Sequence, residues 1–443
     1  MQSFVTAPSP RRHSELILLT AFLFLLFSVT GRLFLDYLIA PSTTLPPPPA
    51  PMESSSESFI LKQQAALQRN PNNTYAYAQL GLGLLEKVRI TNDPTLYTQA
   101  ETAFNEALKR DPQQLDALVG QGILALARHD FTGALEWADQ AWAINPFRAQ
   151  TLGIMVDALV ELGRYDEAKQ KAQQMIELRP GVPSYTRISY LRELHGDVPG
   201  AIKAMKMARD AGVPGTEAML WSQVQLGNLY FHSGDLEQAE AIYQEALRYR
   251  ADYIHAEAAL ANVQAARGDY SGAIAAYEPI IERSPLPEFA LTLAELYEVT
   301  GQPEKANQQY DLVRTLEQRN ASAGMNVDLE LALFEANLAN DPAQAVELAR
   351  TAYDAQPNIH AAEALSWALY QNGEYNEAYQ YNQEARRLGT QDAHLYYQAG
   401  KIILAMGDKQ QAQAYLQQAL DINPYFSIRD AADARRLLAQ LAS

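Results

Sequence analysis

Histidines and carboxylates are the side chains of this chain with chemistry to offer, because its 443 residues include seven His, 52 Asp and Glu, and no Cys. The missing thiols rule out disulfides, thiolate nucleophiles and Cys-bound zinc, and leave the redox compartment open. A helix holds a metal with ligands three or four residues apart, which bring both to one face. His129, His195, His232, His255, His360 and His394 contain no such pair, and His13 stands apart near the N-terminus. His195 and His232 fall at the ends of predicted helices, where an imidazole meets the negative end of the helix dipole. Gly81-Leu82-Gly83 lacks the later glycine of a dinucleotide fingerprint and has no strand before it. The P-loop, HExxH and GxSxG patterns are absent, and no carboxylate pair is set apart for acid-base work. Catalytic residues, metal and cofactor are therefore all expected to be none, and the chain is not expected to be an enzyme.

What positions side chains here is a repeat. Alanines recur at 100, 134, 168, 201, 239, 273, 306, 345, 378 and 412, mostly at intervals of 33 or 34 residues. Five residues before the alanine stands Gly163, Gly196, Gly234, Gly268, Gly301, Gly373 or Gly407, with Asn340 in one unit. Gly and Asn accept positive φ, so this position is the turn between two helices. Seven residues after the ladder lies a second alanine (107, 141, 208, 246, 352, 385, 419), on the same helix face. Twelve after it comes Pro112, Pro146, Pro180, Pro285, Pro357 or Pro424, which ends the second helix. Twelve before it another small residue recurs, as Gly122, Gly227, Ala261, Ala294, Ser366 and Gly400, and lets the helices of a pair approach closely.

Units such as QLGNLYFHSGDLEQAEAIYQEALRYRAD (225 to 252) and QAGKIILAMGDKQQAQAYLQQALDINP (398 to 424) resemble tetratricopeptide repeats, and the resemblance runs over about residues 75 to 424. It implies an all-α, right-handed superhelical solenoid of about ten antiparallel helix pairs, whose first helices line a concave groove for a peptide or partner domain. In this frame the groove candidates are Tyr190, Asn228, Asn262, Glu295, Phe334, Trp367 and Lys401, with Phe231 and Tyr370 one turn on and Trp221 at the entry. Aromatics mixed with amides suit peptide recognition, and aromatics equally fill gaps between neighbouring helices. The Lys, Asn and Arg set with which some members clamp a C-terminal carboxylate is not found at matching positions. Extra residues stand at Lys87 to Tyr97 between the helices of the first unit, and spacers at Gly212 to Gly215 and Arg319 to Gly324 lengthen the period; a bend of the solenoid, a loop that reaches a partner and a plain insertion at a repeat boundary are the readings open for them. A final amphipathic helix in 425–443 caps the array.

Before the repeats, LILLTAFLFLLFSVT (16 to 30) carries no charge, follows Arg11 and Arg12, and is extended by LFLDYLIA up to Ala40. The run is short for a bilayer span and long for a cleavable signal, and no good small-x-small cleavage site follows it. A single transmembrane signal anchor over 16–40 is expected, with a cleaved signal peptide as the alternative. Basic residues before the segment direct the remainder away from the cytoplasm. Residues 1–15 form the tail, 41–58 a Pro- and Ser-rich linker and 59–424 the array. With 35 Lys and Arg, the net charge of -17 argues against nucleic-acid partners. The expected function is a membrane-anchored protein-binding scaffold; a structural spacer, or a secreted or periplasmic solenoid without a groove ligand, remains the alternative.

Overall fold

The computed structural model describes residues 52–338 and 341–442, all of whose regular elements are helices. The apolar segment 16–40 and Asn340 lie outside the described residues, and no described helix is long and apolar enough to cross a membrane. Ten helix pairs follow one another, one for each ladder alanine, and are called units 1 to 10 below. In a regular unit the first helix has 13 residues and the second 14, as in Ala149–Glu161 with Tyr165–Leu178 and Ala393–Ala405 with Lys409–Ile422.

All seven turn glycines take positive φ. His129, with φ 58, fills the same place in unit 2, and Asn92, with φ 52, turns the chain in unit 1. In most units an aspartate follows the turn and caps the second helix: the side chains of Asp130, Asp197, Asp235, Asp269, Asp341 and Asp408 each accept a backbone N–H three residues on. Glycine-aspartate thus reverses the chain and starts the next helix in two consecutive residues.

Every ladder alanine is at most 1% exposed, because the two helices of a pair cross where it sits. The residue twelve before it lies opposite. Ser189 and Ser366 there donate their hydroxyls to the carbonyls of Ala201 and Ala378, at 2.8 Å in both cases. At two of the glycines in that place a large side chain of the second helix fills the space: a Cβ on Gly227 would stand 2.2 Å from the Tyr243 ring, and one on Gly400 2.7 Å from Leu416, whereas one on Gly122 would meet Ile154 of the next unit at 3.2 Å. Phe104 likewise occupies the room left by Gly81 and Gly120.

Two of the three lengthened stretches are helix in greater part. The first helix of unit 1 runs over Thr74–Thr91, and the second helix of unit 7 over Pro303–Ser322, so the extra residues add turns to helices rather than loop. Gly212 to Gly215 does form a connection. A further helix, Met52–Arg69, precedes unit 1 and begins inside the stretch expected to be linker. At the other end, Asp430–Leu441 closes the array by burying Ala431, Ala434 and Leu437.

Gly227→Ala provides a test of this packing. Alanine in a helix is favoured by about 0.5–1 kcal/mol over glycine, whereas forcing the buried Tyr243 ring aside costs about 1–3 kcal/mol. Denaturant unfolding is expected to show a net loss of stability; a gain would contradict the packing described.

Candidate functional site

The superhelix closes on itself. In five successive units the turn between the two helices meets a later part of the chain, and most of the connecting hydrogen bonds span 192 to 197 residues. The turn of unit 2 meets the loop between units 7 and 8: Asn326 N–H donates to the Arg128 carbonyl at 2.9 Å, and His129 Nδ1 lies 2.8 Å from the Asn326 carbonyl. In unit 3, Asn358 donates to the Glu161 carbonyl at 2.9 Å, and the Ile359 N–H donates to the buried Tyr165 hydroxyl at 2.9 Å. Thr390 donates to the Leu194 carbonyl of unit 4 at 2.6 Å, and Asn423 to the Phe231 carbonyl of unit 5 at 3.2 Å. The Glu161 and Leu194 carbonyls end first helices, where the N–H one turn on is missing, so side chains from the next circuit act as caps, whereas the Phe231 carbonyl also accepts the Gly234 N–H.

The glycines mark this seam. A Cβ on Gly163 would stand 2.4 Å from the Pro357 carbonyl oxygen, one on Gly196 2.3 Å from that of Gly389, and one on Gly234 3.1 Å from Pro424. Gly268, Gly301, Gly373 and Gly407, in later units, have nothing within 4 Å. The first circuit is thus covered along the edge where the second rests on it, and the turn glycines of units 6, 7, 9 and 10 are open. Stacked circuits convert the concave face of the solenoid into a lumen walled by first helices. Tyr190 and His360 show this directly: their Oη and Nε2 atoms lie 3.2 Å apart although the residues belong to units 4 and 9.

The groove candidates divide on the structure. Tyr190, Asn228 and Phe231 line one cavity of about 480 Å³, together with Glu193, His360 and Asp392. Trp221, 42% exposed, shares a smaller cavity with Asn228 and Asn262, and Glu295 shares another with Asn262 and Phe231. Asn228 and Asn262 are held by the same device, each accepting a second-helix tyrosine hydroxyl at 2.7 Å, from Tyr243 and Tyr277. Phe334 and Trp367 belong to the core instead. The lengthened second helix of unit 7 brings Tyr310 edge-on to Phe334 and Arg314 over its ring. Trp367 stacks on Tyr370 and donates Nε1–H to Asn337 at 3.0 Å, which leaves Tyr370 half-buried. Lys401 is bound to Asp433 of the closing helix at 2.9 Å.

His255, His360 and His394 all stand eighteen residues before a ladder alanine, the same register as Trp221. A search for metal-ligand spacing along one helix passes over them, whereas the repeat frame aligns them on the wall. Among the described residues no group of three or more His, Asp or Glu is arranged to hold a metal ion.

The wall is acidic. Burial, reinforced by the charges of Asp157 and Glu330, pushes the Glu161 carboxyl up to about 7, so that it is partly protonated near neutrality. Glu330 belongs to unit 8 and Glu161 to unit 3, which places their charges in one space. Glu363 is raised by burial and by Asp392, and Glu288 and Glu295 chiefly by burial. Burial lowers His360. His232 is drawn down by burial but ends above its ordinary value because of the neighbouring Glu193 carboxylate.

Comparison with known proteins agrees with the geometry. Tetratricopeptide repeat family models match residues 96–149, 230–290 and 393–426. Human tetratricopeptide repeat protein 13 is 26% identical over 166 residues, which are 36% of this chain and 19% of that protein. The Protein CTR9 homolog of Arabidopsis thaliana is 25% identical over 304 residues, 67% of this chain and 24% of that protein. The chain thus spans less than a quarter of the length of either relative. Among solved structures, the human IFIT1 dimer with PPP-AAAA is similar at a TM-score of 0.48 and 15% identity, covering 75% of this chain and 78% of that one. YrrB, described as a TPR protein with an unusual peptide-binding site, is similar at 0.29 and 17%, over 44% of this chain and 95% of its own. This chain carries tetratricopeptide repeats in an all-α helical solenoid.

Gly196→Ala and Gly268→Ala separate the seam from the turn. Both place a side chain at positive φ, which costs about 1–2 kcal/mol, but only the first also collides with the next circuit. Gly196→Ala is expected to lose clearly more stability and to increase the radius of gyration in small-angle scattering. Equal losses with unchanged dimensions would contradict the seam.

Proposed function

We propose that this chain is a non-catalytic scaffold, anchored in a membrane by its 16–40 segment, and that its lumen holds an extended segment of a partner protein. The observation that carries the proposal is the wall itself: Tyr190, Trp221 and Phe231 stand in the interior with part of their rings exposed, beside amides held in fixed orientation by Tyr243 and Tyr277. Aromatic surface at modest entropy cost, next to oriented hydrogen-bonding groups, is what peptide recognition uses. Tetratricopeptide repeats generally mediate protein–protein interactions, which supports the same reading. The apolar run after Arg11 and Arg12 supports the anchor and an extracytoplasmic array. Nothing in this function calls for a cofactor or for nucleic acid.

A photo-crosslinking residue at position 190, inside the lumen, and another at Tyr249, 41% exposed on a second helix, test it in native membranes. Position 190 is expected to capture one recurrent partner segment that position 249 does not, with the array digested only by protease added on the extracytoplasmic side. Identical capture from both positions, or none from position 190, would favour a spacer with an empty lumen. Protection of the array from the extracytoplasmic side would overturn the topology.

A further inference from the structure

One cavity of the lumen brings aromatic rings and carboxylates together. The cavity of about 480 Å³ is enclosed where the first helices of units 4 and 5 face the loop after unit 9 and the chain beyond unit 10. Tyr190, Phe231 and Phe426 supply rings, Glu193 and Asp392 supply carboxylates, and no Lys or Arg lines it. Three histidines also line it. His232 lies 3.7 Å from Glu193, His360 is turned to Tyr190, and His394 packs edge-on to Phe426. Asp392 uses one oxygen to cap the first helix of unit 10 by accepting the His394 N–H at 2.8 Å.

In the surrounding wall, Arg267 and Arg435 line the adjoining cavity around Glu295, the first paired with Glu240 and the second bound to the Pro424 carbonyl. Arg187 is committed to Asp157 and Lys401 to Asp433. Glu161, Glu288, Glu295 and Glu363 have no Lys or Arg partner among the described ion pairs. Like charges in a space of low dielectric raise one another's free energy, and a cation entering that space relieves the repulsion. Aromatic faces add attraction for the same kind of group, most of all for a guanidinium. An anionic or neutral ligand would leave the repulsion in place.

We infer that the lumen takes a basic segment of a partner protein, with one Lys or Arg side chain seated among Tyr190, Phe231 and Phe426 against Glu193 and Asp392. The inference rests on the lumen being a protein-binding site and adds the chemistry of what enters. A chain-borne cation fits better than a free one because the cavity opens along the wall toward Asn228, whose neighbours Trp221 and Asn262 continue the surface a backbone would follow.

The test uses the full-length chain and labelled peptides of alternating Ala with Arg, Glu or Gln, followed by fluorescence anisotropy. Two double variants accompany it: Glu193→Gln with Asp392→Asn, in which asparagine keeps the helix cap, and Asp166→Asn with Glu167→Gln on an exposed second helix. The Arg peptide is expected to bind, to weaken about tenfold or more in the lumen variant through loss of two charge contacts, and to change by less than about twofold in the outer variant. Equal binding of the Glu or Gln peptide, equal weakening in the outer variant, or spermidine competing as well as the peptide would overturn the inference. If position 190 still crosslinks to a partner segment that carries no basic residue, only the charge assignment fails. If no peptide of any class binds and position 190 captures nothing, the binding site itself fails.

Discussion

At the end of an α-helix the last carbonyls have no N–H one turn further on, and the rest of this structure depends on where two such groups find a partner. The Glu161 and Leu194 carbonyls close the first helices of two consecutive units, and Asn358 and Thr390 reach them from the next circuit of the same chain; in the following unit Asn423 adds a donor to the Phe231 carbonyl, which also accepts the Gly234 N–H. An open solenoid leaves these groups to water. Here they join the edges of successive circuits, and a groove accessible along its length becomes a lumen. Each contact is modest, about 0.5–1.5 kcal/mol for a hydrogen bond of this kind. Their recurrence in consecutive units makes the closure a property of the array rather than of one residue.

The irregular units fit the same constraint. The first helix of unit 1 is lengthened and the second helix of unit 7 is lengthened, and the two meet: Asp93, just beyond the former, pairs with Arg319 of the latter at 3.0 Å. Asn92 donates to Ser284 at 3.0 Å beside them. Departures from the period that look like independent insertions in sequence are two sides of one contact in space. Closure also accounts for the charge within. Carboxylates that an open solenoid would leave solvated come within reach of one another where circuits stack, as Glu161 and Glu330 do.

The alanine ladder, the turn glycines and the small residues opposite them specify local packing through size alone, and all of these were legible as a period in the sequence. The seam was not. Asn358, Thr390 and Asn423 occupy loops between units and look like ordinary turn residues until a second circuit is placed against them. Of the groove candidates, Tyr190, Asn228, Phe231 and Asn262 line cavities, but register says nothing about how far a neighbouring helix reaches. For that reason Phe334 and Trp367 occupy the same register and are core. Glu193 and Asp392 become a pair only once units 4 and 10 share a cavity.

Closure of the superhelix is the central claim, and the absence of cysteine from the chain allows a direct measurement. Asn92→Cys with Ser284→Cys places two thiols where side chains of successive circuits now touch, and a short bismaleimide reports their proximity in the full-length chain. The account predicts a rapid intramolecular crosslink, seen as faster migration on a denaturing gel and as a linked peptide by mass spectrometry, with each single variant remaining unlinked. Efficient labelling of both thiols without any link between them would show the circuits apart and contradict it.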